Sequence, residues 1–95
     1  MSYLEKIGFT SEDIIEIKKT TTEVIFNLLN EQKKVVAANI NYLKNLGVTN
    51  YREIFKKYPD LFLIDNSNFV EIFEKYDRDD LISKLNHNVD IFVFL

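Results

Sequence analysis

Apolar residues recur at helical spacing along most of this chain. Val36, Ile40, Leu43 and Leu46 follow the i, i+4, i+7 and i+10 pattern, which places them on one face of a helix. Further stripes of this kind comprise Tyr51, Ile54, Phe55 and Tyr58, then Phe69, Ile72, Phe73 and Tyr76, and finally Leu81, Ile82 and Leu85. The pattern predicts an all-α chain with helices near residues 2–7, 11–19, 22–29, 31–46, 50–58, 67–76 and 79–86.

Residues that begin and end helices lie at the limits of these stripes. Gly8 and Gly47 each follow an apolar stripe by one residue, where a left-handed residue ends many helices, and Pro59 ends the helix before it. The candidate N-terminal caps carry hydroxyl or amide side chains. Ser2 with Glu5, and Thr20 with Glu23, are each spaced as a capping box. The other candidates are Thr10 or Ser11, Asn30, Thr49 and Ser67.

Two short apolar runs, Leu61–Ile64 and Val89–Leu95, are consistent with either helix or strand, because period alone does not distinguish them at this length. The stripes together predict one hydrophobic core. We expect it to contain Leu4, Ile14, Ile17, Val36, Ile40, Leu43, Leu46, Ile54, Phe55, Leu61, Phe69, Phe73 and Leu85.

The chain also contains an internal repeat. When residues 2–10 are placed over residues 41–49, an offset of 39, the Tyr, Leu, Gly and Thr positions coincide. A third, degenerate copy begins near Ile72 and has Asp77 where the other two have glycine. Units that cannot bury their apolar faces alone become stable by stacking. The repeat therefore predicts a single domain, residues 1–95, built as a compact array of about three helix–helix–short turn units.

The second copy resembles a known family. Its phrase Tyr42-Leu43-Lys44-Asn45-Leu46-Gly47-Val48-Thr49, followed by Ile54-Phe55-Lys56-Lys57-Tyr58-Pro59-Asp60-Leu61-Phe62, is similar to the repeats of the mitochondrial transcription termination factor (mTERF-like) family. The resemblance implies a curved stack of helix–helix–3₁₀ units and a basic concave face that holds nucleic acid. This chain departs from the family pattern in its acidic balance, its short array and its single proline, so no functional residue transfers position by position.

Composition excludes several chemistries. The 95 residues contain no Cys, which removes disulfides, thiol catalysis and cysteine-based zinc sites, and only two Gly, which disfavours glycine-rich phosphate loops. No secretory signal precedes the first helix, and the longest strongly apolar run, Ile91–Leu95, is far shorter than the ~20 residues of a membrane span. We therefore expect a cytoplasmic protein without a membrane segment.

No motif indicates catalysis, a metal or a cofactor. His87 is the only histidine and has no partner at ligand spacing. The Asp77-Arg78-Asp79-Asp80 cluster lacks the glycine and glutamate of a calcium loop, since Ile82 and Asn88 occupy those positions, and is better explained as an acidic helix start. We expect a protein that is not an enzyme.

Two groups of residues are candidates for binding. A basic edge that contacts nucleic-acid phosphates would comprise Lys18, Lys19, Lys33, Lys34, Arg52, Lys56 and Lys57. An apolar tail would comprise Ile91, Phe92, Phe94 and Leu95, which either packs on the last helix or mediates homodimerisation. Because the chain carries 15 acidic and 12 basic residues, a net charge of −3, protein interaction is the leading hypothesis and nucleic-acid binding the alternative.

Overall fold

The computed structural model describes residues 1–95 and contains seven α-helices, two 3₁₀ helices and no strand, so the all-α prediction is confirmed. The α-helices are α1 (Ser2–Ile7), α2 (Ser11–Thr20), α3 (Glu23–Glu31), α4 (Lys33–Leu46), α5 (Tyr51–Lys57), α6 (Asn66–Glu74) and α7 (Arg78–His87). The 3₁₀ helices are η1 (Pro59–Leu63) and η2 (Val89–Phe94). Both runs that were ambiguous between helix and strand are therefore 3₁₀ helices.

The helix starts differ in detail from the predicted caps. The reciprocal capping box lies at Thr10 and Asp13: the Thr10 N–H donates to the Asp13 carboxylate at 2.9 Å, and the Asp13 N–H donates to Thr10 Oγ1 at 3.1 Å. Ser2 is already helical and Thr20 ends α2, so the two predicted capping boxes are wrong. The cap of α3 is Thr22, because Thr20 is held in the preceding helix.

The starts of α4, α5, α6 and α7 lie at or within two residues of the predicted caps. Asp77 caps α7 by accepting from the Asp80 N–H at 3.0 Å, as expected for an acidic helix start. The predicted caps Asn30, Thr49 and Ser67 are each displaced by one or two residues, because α4, α5 and α6 follow Gln32, Asn50 and Asp65.

Helix α4 lies at the centre of the fold. It contacts α1, α3, α5, α6 and η1, and its apolar stripe Val36, Ile40 and Leu43 is completely buried. Asn39 is buried beside this stripe and donates to the carbonyl oxygens of Phe62 and Ile64, each at 2.9 Å. A buried amide without hydrogen-bond partners would be costly. These two bonds satisfy the Asn39 amide and also hold η1 against α4.

Aromatic side chains fill the other half of the core. Phe62 of η1 packs against Phe55, Phe69 and Phe92 at ring-centroid distances of 5.0, 5.3 and 5.4 Å. Phe73 joins the same cluster at 5.0 Å from Phe69 and 5.9 Å from Phe92. These distances lie in the range at which aromatic pairs attract beyond simple area burial. The cluster connects α5, η1, α6 and η2.

Ten of the thirteen predicted core residues are buried, whereas Ile14 and Leu46 are only partly buried and Leu61 is 36% exposed. The Leu61 prediction is wrong because a 3₁₀ helix has three residues per turn. Pro59 and Phe62 therefore share the inward face of η1, and Leu61 lies on another face. The buried apolar residues outside the prediction are Ile7, Phe9, Leu29, Val48, Phe62, Leu81 and Phe92.

Both glycines end helices as predicted. Gly8 has φ 123° and Gly47 has φ 112°, and in each case the next residue donates its N–H back into the helix and buries its side chain. The surroundings differ, however. A Cβ on Gly8 would lie 2.7 Å from the Tyr51 hydroxyl, whereas a Cβ on Gly47 would find its nearest neighbour, Ile82 Cδ1, at 3.6 Å.

This difference predicts unequal effects of the same substitution. Gly47→Ala should lower the free energy of unfolding by about 1–2 kcal/mol through backbone strain alone. Gly8→Ala should cost roughly 1 kcal/mol more, because the new methyl displaces the Tyr51 hydroxyl from its bond to the Ile7 carbonyl. Urea denaturation measures both losses. In the Gly8→Ala background, Tyr51→Phe should recover part of the loss, and equal losses for the two alanine variants would contradict the steric explanation.

Candidate interaction surfaces

Charge alternates in sign along the chain. Residues 1–31 contain six acidic and three basic side chains, residues 32–64 contain two and six, and residues 65–95 contain seven and three. A basic central segment is thus flanked by two acidic segments. The net charge of the whole chain, −3, does not reveal this arrangement.

Asp13 connects the first, acidic segment to the basic central segment. Its carboxylate is buried and accepts from Lys56 Nζ at 3.0 Å and from Arg52 Nη1 at 3.5 Å, so that α2 and α5 are joined. Lys56 also lies 3.3 Å from Glu16 and 3.0 Å from Glu53. The ammonium group of Lys56 therefore serves one buried carboxylate, that of Asp13, and two half-exposed ones.

The pKa values of this cluster reflect its hydrogen bonds. Burial acts to raise the pKa of Asp13, but the Thr10 N–H and the Lys56 ammonium outweigh it and lower that pKa below its ordinary 3.8. Burial likewise acts to lower the pKa of Lys56, but its bonds to Asp13, Glu53 and Glu16 outweigh burial and raise that pKa. Both groups are ionised in the folded protein at neutral pH.

A second, more exposed group of charges joins the central segment to the third. Asp90 of η2 pairs with Lys57 and accepts a hydrogen bond from the Tyr58 hydroxyl at 2.6 Å. The bond from Lys57 lowers the pKa of Asp90, and the bond to Asp90 raises the pKa of Lys57. The Tyr58 ring also stacks on Phe92, with 6.3 Å between the ring centroids, and so connects this group of charges to the aromatic core.

These pairs account for three of the seven cations of the predicted basic edge, since Arg52, Lys56 and Lys57 are all neutralised by carboxylates. No local signal could reveal the Asp13 contact, because 43 residues separate the partners. The other four cations are exposed and make no ion pair. Lys18 and Lys19 lie in the last turn of α2, and Lys33 and Lys34 begin α4.

A polar cleft of about 600 Å³ lies beside the two ion clusters. Lys56 and Lys57 line it, together with the segment Thr20–Thr22. All three threonine hydroxyls bond to backbone groups nearby, and both lysines are paired. The cleft thus presents few unpaired polar groups to a ligand.

An apolar groove of about 230 Å³ opens at the other side of η1. Every lining residue is hydrophobic. The lining consists of Leu61 and Ile64 after α5, Phe69, Ile72 and Phe73 of α6, and Phe92, Val93 and Leu95 at the C-terminal end. Phe69, Phe73 and Phe92 of this lining belong to the aromatic cluster described above, so the groove adjoins the core.

The predicted apolar tail is divided by the three-residue period of η2. Phe92 is only 6% exposed and lies in the core, while Ile91 and Leu95 are partly buried. Phe94 is 82% exposed and is the most exposed large apolar side chain of the protein. The tail thus closes the core with Phe92 and presents Phe94 to solvent. The predicted tail did not include Val93 or Leu61, which are both exposed and both line the groove.

The residues that could bind a metal ion are not gathered into a site. His87 is exposed at the end of α7, and no group of three or more His, Asp or Glu side chains is placed to hold a metal ion. No helix is long and apolar enough to cross a membrane. Comparison of the chain with protein-family models, curated proteins and solved structures finds no significant match.

The Asp13 cluster predicts a specific pH dependence. Because the folded-state pKa of Asp13 is lowered, its stabilisation is complete above about pH 4 and is lost as pH falls through the folded-state pKa. Asp13→Asn should lower the free energy of unfolding by about 1.5–3 kcal/mol at neutral pH, and this difference should shrink below about pH 4. Urea denaturation across pH measures the difference.

Glu12→Gln is the matched control, because Glu12 is exposed in the same helical turn and makes no ion pair. It should leave the stability of the protein unchanged, within about 0.5 kcal/mol. An Asp13→Asn deficit that stays constant down to the lowest pH at which the wild type is folded would contradict the assignment.

Proposed function

We propose that this protein is a non-enzymatic protein-interaction module, built on about three short helical units, whose partner binds at the apolar groove. The observation that carries the proposal is the groove itself: an entirely hydrophobic lining in which Leu61 and Val93 are 36% and 49% exposed. Apolar side chains gathered on a surface mark sites of association more often than single scattered ones do.

Recurring contacts support the three-unit description. The last carbonyl of α1, at Ile7, accepts from Lys44 and Tyr51 of the following segment at 2.8 and 3.1 Å. The equivalent carbonyl at the end of α4, Leu46, accepts from Arg78 at 3.1 Å. In both places a side chain of the next unit caps the first helix of the unit before it, which is how stacked repeats would adhere.

The units are not identical, which explains why the repeat is degenerate. The third element of the first unit is α3, a nine-residue α-helix, whereas η1 and η2 take that place in the others. The third unit also lacks a glycine after its first helix, α6, which ends at Lys75 in a right-handed conformation. The likeness to mTERF-type repeats stays a prediction.

The groove has features expected of a binding hot spot. Its lining includes Phe69, Phe73 and Phe92, which pack against one another, and the exposed Leu61 and Val93. Aromatic anchors and their receiving pockets commonly supply most of the binding free energy at protein interfaces. The volume is smaller than the roughly 300–1,000 Å³ typical of small-molecule sites, which favours a protein side chain as the occupant.

A comparative pull-down from a cell lysate tests the proposal. The wild-type protein should retain specific proteins that Leu61→Ser/Val93→Ser loses, because both side chains line the groove and are exposed. Ile15→Ser/Val24→Ser is the matched control, since these two apolar residues are 53% and 69% exposed elsewhere. Identical retention by all three proteins would refute the groove as the interaction site.

Nucleic-acid binding is the second candidate, and Lys33 and Lys34 favour it. They occupy the first helical turn of α4, where the helix dipole disfavours cations, so helix stability does not account for them. With Lys18 and Lys19 they are the cations of the predicted edge that carry no carboxylate partner.

A gel shift with generic duplex and single strands tests this second candidate. At low salt, replacement of all four lysines by alanine should abolish a shift that the wild type gives and that weakens steeply as salt rises. Lys6→Ala/Lys75→Ala controls for a general loss of exposed positive charge. Absence of a shift by the wild type at low salt would exclude nucleic-acid binding.

A further inference from the structure

We infer that η2 is a releasable strap that forms one wall of the apolar groove, and that the contact of Asp90 with Lys57 and Tyr58 is the latch that holds it in place. This inference rests on the proposed function, because it concerns the regulation of the same groove. It is based on how η2 is attached to the rest of the fold.

Residues of η2 border both cavities of the protein. Val89, its first residue, lines the polar cleft, whereas Phe92 and Val93 line the apolar groove together with Leu95. Displacement of η2 would therefore remove part of the wall of each cavity. The groove would become larger and more open to a partner.

The main chain of η2 is bonded only locally. The Ile91 N–H donates to the Asn88 carbonyl at 3.3 Å, and the Leu95 N–H donates to the Phe92 carbonyl at 3.4 Å. Asn88 itself donates to the Lys84 carbonyl at the end of α7 at 2.9 Å. No backbone hydrogen bond joins η2 to α5, α6 or η1. A displacement of η2 from these elements would break no main-chain bond to them, which favours local opening.

One side chain of η2 is buried in the core. Phe92 is 6% exposed and packs against Phe62, Phe69 and Phe73 at ring-centroid distances of 5.4, 6.2 and 5.9 Å. The other apolar side chains of η2 are partly buried or exposed. Withdrawal of the Phe92 ring would uncover the three rings that it contacts, two of which already line the groove.

The main polar attachment of η2 is the latch. The Asp90 carboxylate pairs with Lys57 and accepts from the Tyr58 hydroxyl at 2.6 Å, so that it joins η2 to the end of α5. A further bond, from the Tyr76 hydroxyl to the Leu95 carbonyl, is 3.5 Å long and therefore weak. The Lys57 and Asp90 side chains are 52% and 48% exposed, so salt screens their attraction.

Chymotrypsin proteolysis under native conditions measures the release of η2. Cleavage after Phe92 requires this buried ring to leave the core, whereas cleavage after Phe55, which is completely buried in α5, requires the core itself to unfold. When opening and closing are fast, each cleavage rate follows the population of the open form. Mass spectrometry should detect the product that ends at Phe92 well before any product that ends at Phe55. Simultaneous appearance of the two products would overturn the inference.

Matched variants test the latch. Tyr58→Phe removes the hydrogen bond to Asp90 without changing the cleaved segment, and it should accelerate cleavage after Phe92 at least about threefold. Tyr3→Phe is the control, because it removes a hydroxyl bond of 2.8 Å to the Leu29 carbonyl, between α1 and α3. It should change this cleavage by less than about 1.5-fold. Equal acceleration by the two variants would overturn the assignment of the latch.

Sodium chloride at high concentration tests the ion pair. It should accelerate cleavage of the wild type after Phe92, relative to a free peptide of residues 88–95 that corrects for the activity of the protease. Asp90→Asn, corrected with its own peptide, should respond less. Asp80→Asn should respond as the wild type does, because Asp80 forms an equally exposed pair with Lys84 within α7. A wild type that is insensitive to salt would overturn the role of the ion pair.

Binding of the fluorescent apolar probe 8-anilinonaphthalene-1-sulfonate shows whether release opens the groove. Tyr58→Phe should raise the bound fluorescence at least about twofold above that of the wild type and of Tyr3→Phe, because more of the aromatic cluster becomes accessible. Leu61→Ser/Val93→Ser in the Tyr58→Phe background should reduce this increase. Faster cleavage after Phe92 with unchanged fluorescence would overturn the inference that the strap regulates the groove.

The outcomes separate this inference from the proposed function. If cleavage and probe binding respond as expected while the pull-down does not depend on Leu61 and Val93, the strap is correct and the proposed function is wrong. If the pull-down depends on both residues while the latch variants change neither cleavage nor probe binding, the groove binds proteins and the strap is wrong.

Discussion

The packing of phenylalanine rings around Phe62 is the contact on which the rest of the structure depends. Phe62 is completely buried and packs against rings from α5, α6 and η2, so it contacts three elements of the core at once. Because Phe69 and Phe92 of this cluster also line the apolar groove, the surface available to a partner is a continuation of the core. A perturbation of that cluster would change both stability and binding.

Electrostatics adds a second level of organisation to this apolar framework. The basic central segment holds its acidic neighbours through Lys56 with Asp13 on one side and Lys57 with Asp90 on the other. The two contacts differ in character: the Asp13 pair is buried and bonded on several sides, whereas the Asp90 pair is half exposed and so is screened by salt. Charges that suggested a nucleic-acid edge thus have a structural role at three of seven positions.

These internal pairs also change the meaning of the net charge of the protein. Three of the six cations of the middle segment, Arg52, Lys56 and Lys57, pair with carboxylates within the fold. The net charge of −3 therefore does not show which charges remain free at the surface. The proposed function depends instead on the apolar groove, whose lining contains none of these charged residues.

The sequence by itself determined the helical class, most of the buried stripe positions and both glycine helix ends. These features depend on short-range period and backbone conformation, which a few consecutive residues specify. It did not determine that Phe62 rather than Leu61 is buried, because that choice depends on the 3₁₀ period of η1 against α4. Nor did it determine that Lys56 meets Asp13 or that Phe92 is buried while Phe94 is exposed. Those outcomes required the tertiary structure, because they arise from contacts between residues far apart in the chain, and such contacts leave no local periodic signal.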